Sequence, residues 1–211
     1  MTVRTAPRHR RVAPDPNGAA EGNERLTAMT GAVLLILLAA EGVTIVARRE
    51  LITLHFFIGF LLVGPMLLKL GSTGYRFVRY YTGSAPYVRK GPPALLLRLL
   101  GPVVIATSAG VVGSGVGLAF LGPRPLLLLA HKAFFVLWFG AMTIHVLWYA
   151  PRLPRLLASR AAGGQRVRAA LAGAGRRWAL LLAALAVGLV LALATYHLAG
   201  TWTGFMAGSH Y

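Results

Sequence analysis

Five apolar stretches, each long enough to cross a bilayer, constrain this chain more than any short motif does. They run from about Leu26 to Val46, Leu51 to Leu70, Ala94 to Leu121, Leu126 to Tyr149 and Trp178 to Ala199. A helix needs about 20 residues to traverse the hydrocarbon of a membrane. In that medium only a helix or a closed barrel satisfies its own backbone hydrogen bonds. Continuous apolar runs of this length, without period-two alternation, select the helix. The expected fold is an all-α integral membrane bundle of about five transmembrane helices. Composition agrees, with 56% hydrophobic residues, 13% charged residues and a mean hydropathy of +0.65, values foreign to an ordinary soluble domain. The 211 residues are largely consumed by the spans, so chemistry in such a chain takes place between helices.

The spans divide the sequence. Residues 1–25 are basic and carry Pro and Gly, which predicts a disordered tail rather than a signal peptide. Residues 26–150 form a four-helix membrane core, 151–177 a basic connection, and 178–211 the fifth helix with a short tail. Cytoplasmic loops carry the excess of Lys and Arg. The tail holds Arg4, Arg8, Arg10, Arg11 and Arg25, and the second connection holds Lys69, Arg76, Arg79, Arg89, Lys90 and Arg98. The fourth connection adds Arg152, Arg155, Arg160, Arg166, Arg168, Arg176 and Arg177, against Arg48, Arg49 and Arg124 on the other side. Eighteen against three predicts a cytoplasmic N-terminus and an external C-terminus.

This asymmetry also accounts for a net charge of +17 without nucleic acid, because the cations are split among loops on one face where anionic lipid headgroups accept them. No familiar nucleic-acid fold is visible. Tyr75, Phe77, Tyr80, Tyr81 and Tyr87 alternate with cations in the second connection, the pattern of an interfacial aromatic belt. A docking surface for a cytoplasmic partner or a quinone headgroup is the alternative.

Inside the spans the informative residues are histidines. His131 and His145 lie fourteen residues apart on the fourth run, which on a helix returns to within about 40° of the same face, with about 21 Å between them along the axis. His55 sits about four residues into the second run, and His131 about five into the fourth. Both of those runs start on the external side, so the two rings share a depth near the outer surface. There is no cysteine, which excludes disulfides, iron-sulfur clusters and heme attached through a Cys pair. Two neutral imidazoles at one depth in an apolar medium are suited to the two axial positions of a b-type heme iron.

Neighbouring residues fit that reading, each with a structural alternative. Gly59, one turn beyond His55, lets a macrocycle or a neighbouring helix come close. Gly110, Gly113, Gly115 and Gly117 on the third run either open space beside a cofactor or tighten helix packing. Phe135, Trp138 and Met142 form an apolar stripe between His131 and His145. Glu41 is the one acid well inside a span; it accepts a histidine N–H, pairs with Arg48 or Arg49, or stays protonated. The position fourteen residues after His55 is Lys69, so a second bis-histidine heme lacks a ligand and one heme is expected. His145 then lines a quinone or proton site, bonds a carbonyl, or is ordinary core. His197 is the competing ligand should the second and fourth spans not be neighbours.

Histidines on alternating helices, the His55 to Gly59 spacing and the His131/His145 pair resemble the membrane cytochrome b superfamily, which includes cytochrome b561-like and ferric-reductase-like heme subunits. The segment LHFFIGFLLVGPMLLKLGSTGYRFVRYYTG is also similar to small bacterial cytochrome b-like membrane proteins. The resemblance covers about Leu26 to Tyr149 and departs from the diheme pattern at Lys69. It implies electron transfer in a bacterial cytoplasmic membrane, with His55 and His131 as heme ligands. Its implied partners are a quinol or cytoplasm-side reductant and an external redox protein, a molybdopterin-type oxidoreductase among the candidates. The competing class is a non-redox membrane scaffold or assembly protein whose histidines and glycines serve packing. Hydrolysis is disfavoured, since no Ser-His-Asp order, zinc-binding His-Glu motif or paired carboxylates occur in the spans. The charge asymmetry predicts that a phosphatase reporter fused after Tyr211 is active outside the cytoplasm; activity only for fusions in the Tyr75–Arg89 segment would reverse the orientation.

Overall fold

The computed structural model describes residues 19–92, 94–152 and 173–208. The described residues are helical throughout, with short turns. α1 spans Ala19–Val46, α2 Arg48–Tyr81, α3 Ala85–Arg89, α4 Leu95–Leu121, α5 Pro125–Tyr149, α6 Ala174–Thr195 and α7 Gly200–Gly208, with 3-10 turns at Ala150–Arg152 and Tyr196–Ala199. Five helical segments are long and apolar enough to cross a membrane, the last running Ala174–Met206 through the 3-10 turn. This is a multi-pass helical membrane protein. The basic tail to residue 18, most of the fourth connection, His9, His210 and the Arg48 side chain lie outside the described residues.

The fifth span runs beyond its expected Trp178–Ala199 limits at both ends, and two further boundaries differ from the expectation for one reason. α1 is already helical at Ala19 instead of Leu26, and α2 continues to Tyr81 instead of ending near Leu70. Hydropathy reports where a helix leaves lipid, not where it stops. At 34 residues, α2 is about 51 Å long, well beyond the ~30 Å hydrocarbon layer. The extensions hold each other. Asn23 Nδ2 donates to the Ser72 carbonyl at 2.9 Å, and Thr27 Oγ1 meets Ser72 Oγ at 2.9 Å. Lys90 pairs with Glu24, and α3 folds back so that Tyr87 is buried with its ring edge-on to Tyr75 at 6.0 Å. Tyr80 and Tyr81 stack edge-on at 5.1 Å, in the manner of an interfacial belt.

α2 is the hub, with α1 packed along one side and α6 along another. The α1 seam places Thr30, Leu34, Glu41 and Thr44 at three- and four-residue multiples, and both threonines are fully buried. Leu34 meets Ile58 and Leu62 of α2. Against α6 the contact is backbone on backbone. A Cβ on Gly64 would overlap the Ala184 carbonyl, and one on Gly188 would overlap the Leu61 carbonyl. Pro65, which is fully buried, has no N–H to give Leu61 its helical bond. Gly188 lets α6 close over that freed carbonyl, in the small-residue manner of membrane helix pairs.

α4 and α5 form a second, antiparallel pair, joined by a turn at Gly122, whose φ of 75° is left-handed. α2 and α5 do not pack along their lengths. The pair is tied to the rest chiefly at one end, where Ile52 and Phe56 of α2, Leu118 and Ala119 of α4, and Ala199 and Trp202 beyond α6 form a core. Below that tie the two layers stand apart. Gly188→Leu is expected to split α2 from α6 and cost about 1–3 kcal/mol of stability, read as a lowered thermal midpoint in detergent; an unchanged midpoint would contradict the backbone contact.

Candidate functional site

The space between the layers is a cavity of about 550 Å³ walled by α1, α2, α4, α5 and α7, within the range of small-molecule and cofactor sites. Its lining is almost wholly apolar. Its ionisable side chains gather at one level, where His55, Glu41, His131 and Lys132 all line it, while Ser108 and Thr143 line it further along. α2 and α5 therefore face each other across the cavity, and His55 and His131 are near enough to interact electrostatically.

Each ring is held by its Nδ1. On α2, His55 Nδ1 lies 2.8 Å from Glu41 Oε1 and 3.0 Å from Thr44 Oγ1. Thr44 in turn donates to the Glu41 carbonyl at 2.6 Å. Glu41 and Thr44, three residues apart on α1, thus present one clamp to the ring. Of the contacts open to Glu41, the one with the ring nitrogen of His55 is made. Gly59 serves the same clamp: a Cβ there would stand 3.5 Å from Glu41 Oε1, so the carboxylate rests over the bare backbone while the glycine also lines the cavity.

On α5, His131 Nδ1 lies 3.1 Å from the Val111 carbonyl and 3.0 Å from Ser114 Oγ. A carbonyl only accepts, so Nδ1 carries the proton. Ser114 directs its own hydrogen to the Gly110 carbonyl at 2.5 Å. The remaining nitrogen of each ring, Nε2, has no hydrogen-bond partner among the described residues. Both rings thus line the cavity with Nδ1 engaged and Nε2 without a hydrogen-bond partner among the described residues.

The glycines of α4 divide their duties. Gly110 accommodates the Phe134 ring, and a Cβ on Gly117 would come within 3.1 Å of Leu127. These two tighten the α4/α5 pair. Gly115 lies on the cavity wall, where a Cβ would stand 3.2 Å from His131 Cε1, so the ring and the open space both depend on it. Gly113 is exposed. Phe135, Trp138 and Met142 line the cavity as the apolar stripe implies, and Trp138 Nε1 donates to Ser108 Oγ at 3.0 Å, fixing that wall.

The other histidines fall elsewhere. His145 is not on the cavity; its ring lies 4.9 Å from that of Tyr149. Lys69 donates to the Thr27 carbonyl at 2.7 Å, over Gly31, and is near enough to His145 for their charges to interact. The position that would hold a fourth ligand is thus occupied by an ammonium bound to α1. His197 is exposed in the 3-10 turn, against Tyr196 at 6.4 Å, and does not line the cavity.

Sequence reasoning missed Thr44, Ser114 and the Val111 carbonyl. Thr44 was legible as the hydroxyl three residues after an intramembrane acid. The Val111 carbonyl had no sequence signal, because its availability depends on how α5 crosses α4. Among the described residues no group of three or more His, Cys, Asp or Glu gathers to hold a metal ion. No protein-family model, curated protein or solved structure matches this chain. The hydrogen bonds predict that nitrogen NMR of histidine-labelled apoprotein finds the proton of His131 on Nδ1; an Nε2–H tautomer would refute the assignment.

Proposed function

We propose that this chain is a membrane b-type cytochrome in which His55 and His131 hold one heme iron between α2 and α5. The carrying observation is that two rings, each anchored through Nδ1, line one apolar cavity with Nε2 uncommitted. The residues fit the group in other respects. Gly59 and Gly115 leave bare backbone on opposite walls, and Phe135, Trp138 and Val112 supply apolar surface.

When bound, the heme supplies a one-electron iron couple, and the protein sets its position and potential. Glu41 makes the His55 nitrogen more basic and so favours the ferric state. Val111 and Ser114 give His131 a neutral setting, so the two ligands differ in donor strength. The apolar walls would limit the access of water to a heme held there. With the N-terminus in the cytoplasm of a bacterium, as the loop charges argue, the heme lies toward the external side of the inner membrane. Electrons then pass from a quinol or a cytoplasm-side reductant to an external redox protein, a molybdopterin-type oxidoreductase being one such partner.

Purified protein from heme-sufficient cells is expected to carry about one b heme per chain by pyridine hemochrome. His55→Ala and His131→Ala lose it, whereas His145→Ala and His197→Ala keep it. Wild-type protein without heme absorbance would sink the reading and leave the scaffold alternative. Glu41→Gln is expected to weaken the preference for ferric iron about tenfold, raising the midpoint potential by about 59 mV; a lowered potential would rule out a donating role for the carboxylate.

A further inference from the structure

Lys132 is the one Lys or Arg among the residues lining the cavity, and neither the one-heme reading nor the packing uses it. It has no hydrogen bond or ion pair with any other described residue. Glu41, the one carboxylate on the same walls, is engaged with His55. Lys132 is exposed as well as lining the cavity, so its long stem places the ammonium at the cavity's edge, where an anionic group of an occupant would meet it.

Position narrows the anion. Lys132 follows His131 directly and stands seven residues after Pro125, the first residue of α5, about 10 Å along the helix. Helical side chains lean toward the N-terminus of their own helix. The ammonium is therefore biased toward the end of the bundle at which α5 begins. An occupant with an apolar body and carboxylates on one edge matches such a cavity, body against Val111, Val112, Phe135 and Trp138, and carboxylate toward that end.

Resting on the reading above, we propose that Lys132 is the ion-pair partner of a heme propionate. The carboxylate edge of the macrocycle then faces the Pro125 end of α5. It makes that edge, rather than the apolar one, the side nearest an external redox partner. Lys132 would also explain the orientation of the heme about the axis joining the two ligands, which two imidazoles alone leave undetermined.

The test compares iron protoporphyrin IX with its dimethyl ester, which lacks the two carboxylate charges, in full-length apoprotein of wild type, Lys132→Gln and Lys132→Arg. The readout is the rate of loss to an excess of a heme-scavenging apoprotein. Wild type is expected to release the ester about tenfold faster than the free acid, the worth of one charge-assisted hydrogen bond. In Lys132→Gln the two rates converge, because the free acid is lost faster while the ester leaves as it does from wild type. That unchanged ester rate also shows that the variant is folded. Lys132→Arg restores the difference. An equal acid-to-ester ratio in wild type and Lys132→Gln overturns the assignment while leaving the bis-histidine heme standing. Failure of wild type to take up either porphyrin overturns both.

Discussion

In hydrocarbon a hydroxyl, ring N–H or carboxylate has no water to turn to, and leaving one unpaired costs several kcal/mol. That constraint sorts the polar side chains of this bundle. Thr30, Thr107 and Thr195 return their hydroxyls to carbonyls of their own helix, four residues back. Such residues need nothing from the fold. Others reach across to another helix, among them Glu41 and Thr44 to His55, His131 to Val111 and Ser114, Trp138 to Ser108, and Lys69 to Thr27. Each bond across helices fixes a rotation and a depth, and those of His55, His131 and Trp138 set the walls of the cavity.

The cavity exists because the two layers are joined unevenly. α2 is clasped by α1 and α6, closely enough that Gly64 and Gly188 admit no side chain. α4 and α5 are clasped to each other through Gly110 and Gly117. Between these units the main apolar tie is the Phe56, Leu118 and Trp202 core at one end. A pair of helices held at one end and spaced apart along the rest leaves room for a flat, apolar occupant. The histidines stand near the tied end, where the spacing of the walls is best fixed.

The two rings are secured by different chemistry. His55 has an acidic partner from a neighbouring span, itself steadied by Thr44 and seated on Gly59. His131 has a carbonyl and a hydroxyl from α4. The same nitrogen, Nδ1, is used in both, so Nε2 is the atom left without a partner in each ring. The far end of the bundle is built around a cation instead: Lys69 bound to α1, beside His145, with Ser72, Asn23 and Thr27 completing a polar cluster. That arrangement gives a physical reason for the broken fourteen-residue symmetry, since the ammonium is already committed to the Thr27 carbonyl.

The sequence by itself determined the spans, their approximate limits and the helical class, because these follow from local hydropathy and the period of one helix. It also singled out Glu41, as an acid inside a span has few uses. It could not set the helix ends, since α2 continues past Leu70 on tertiary bonds with α1 that no hydropathy profile contains. Nor could it tell which glycines of α4 serve packing and which serve the cavity, or place His197 away from the cavity. Only the tertiary structure decided those points. The reason is that rotation of one helix against another depends on contacts spread over five segments, such as Ser114 meeting His131 or Leu61 meeting Gly188, and no single segment encodes its partner's angle.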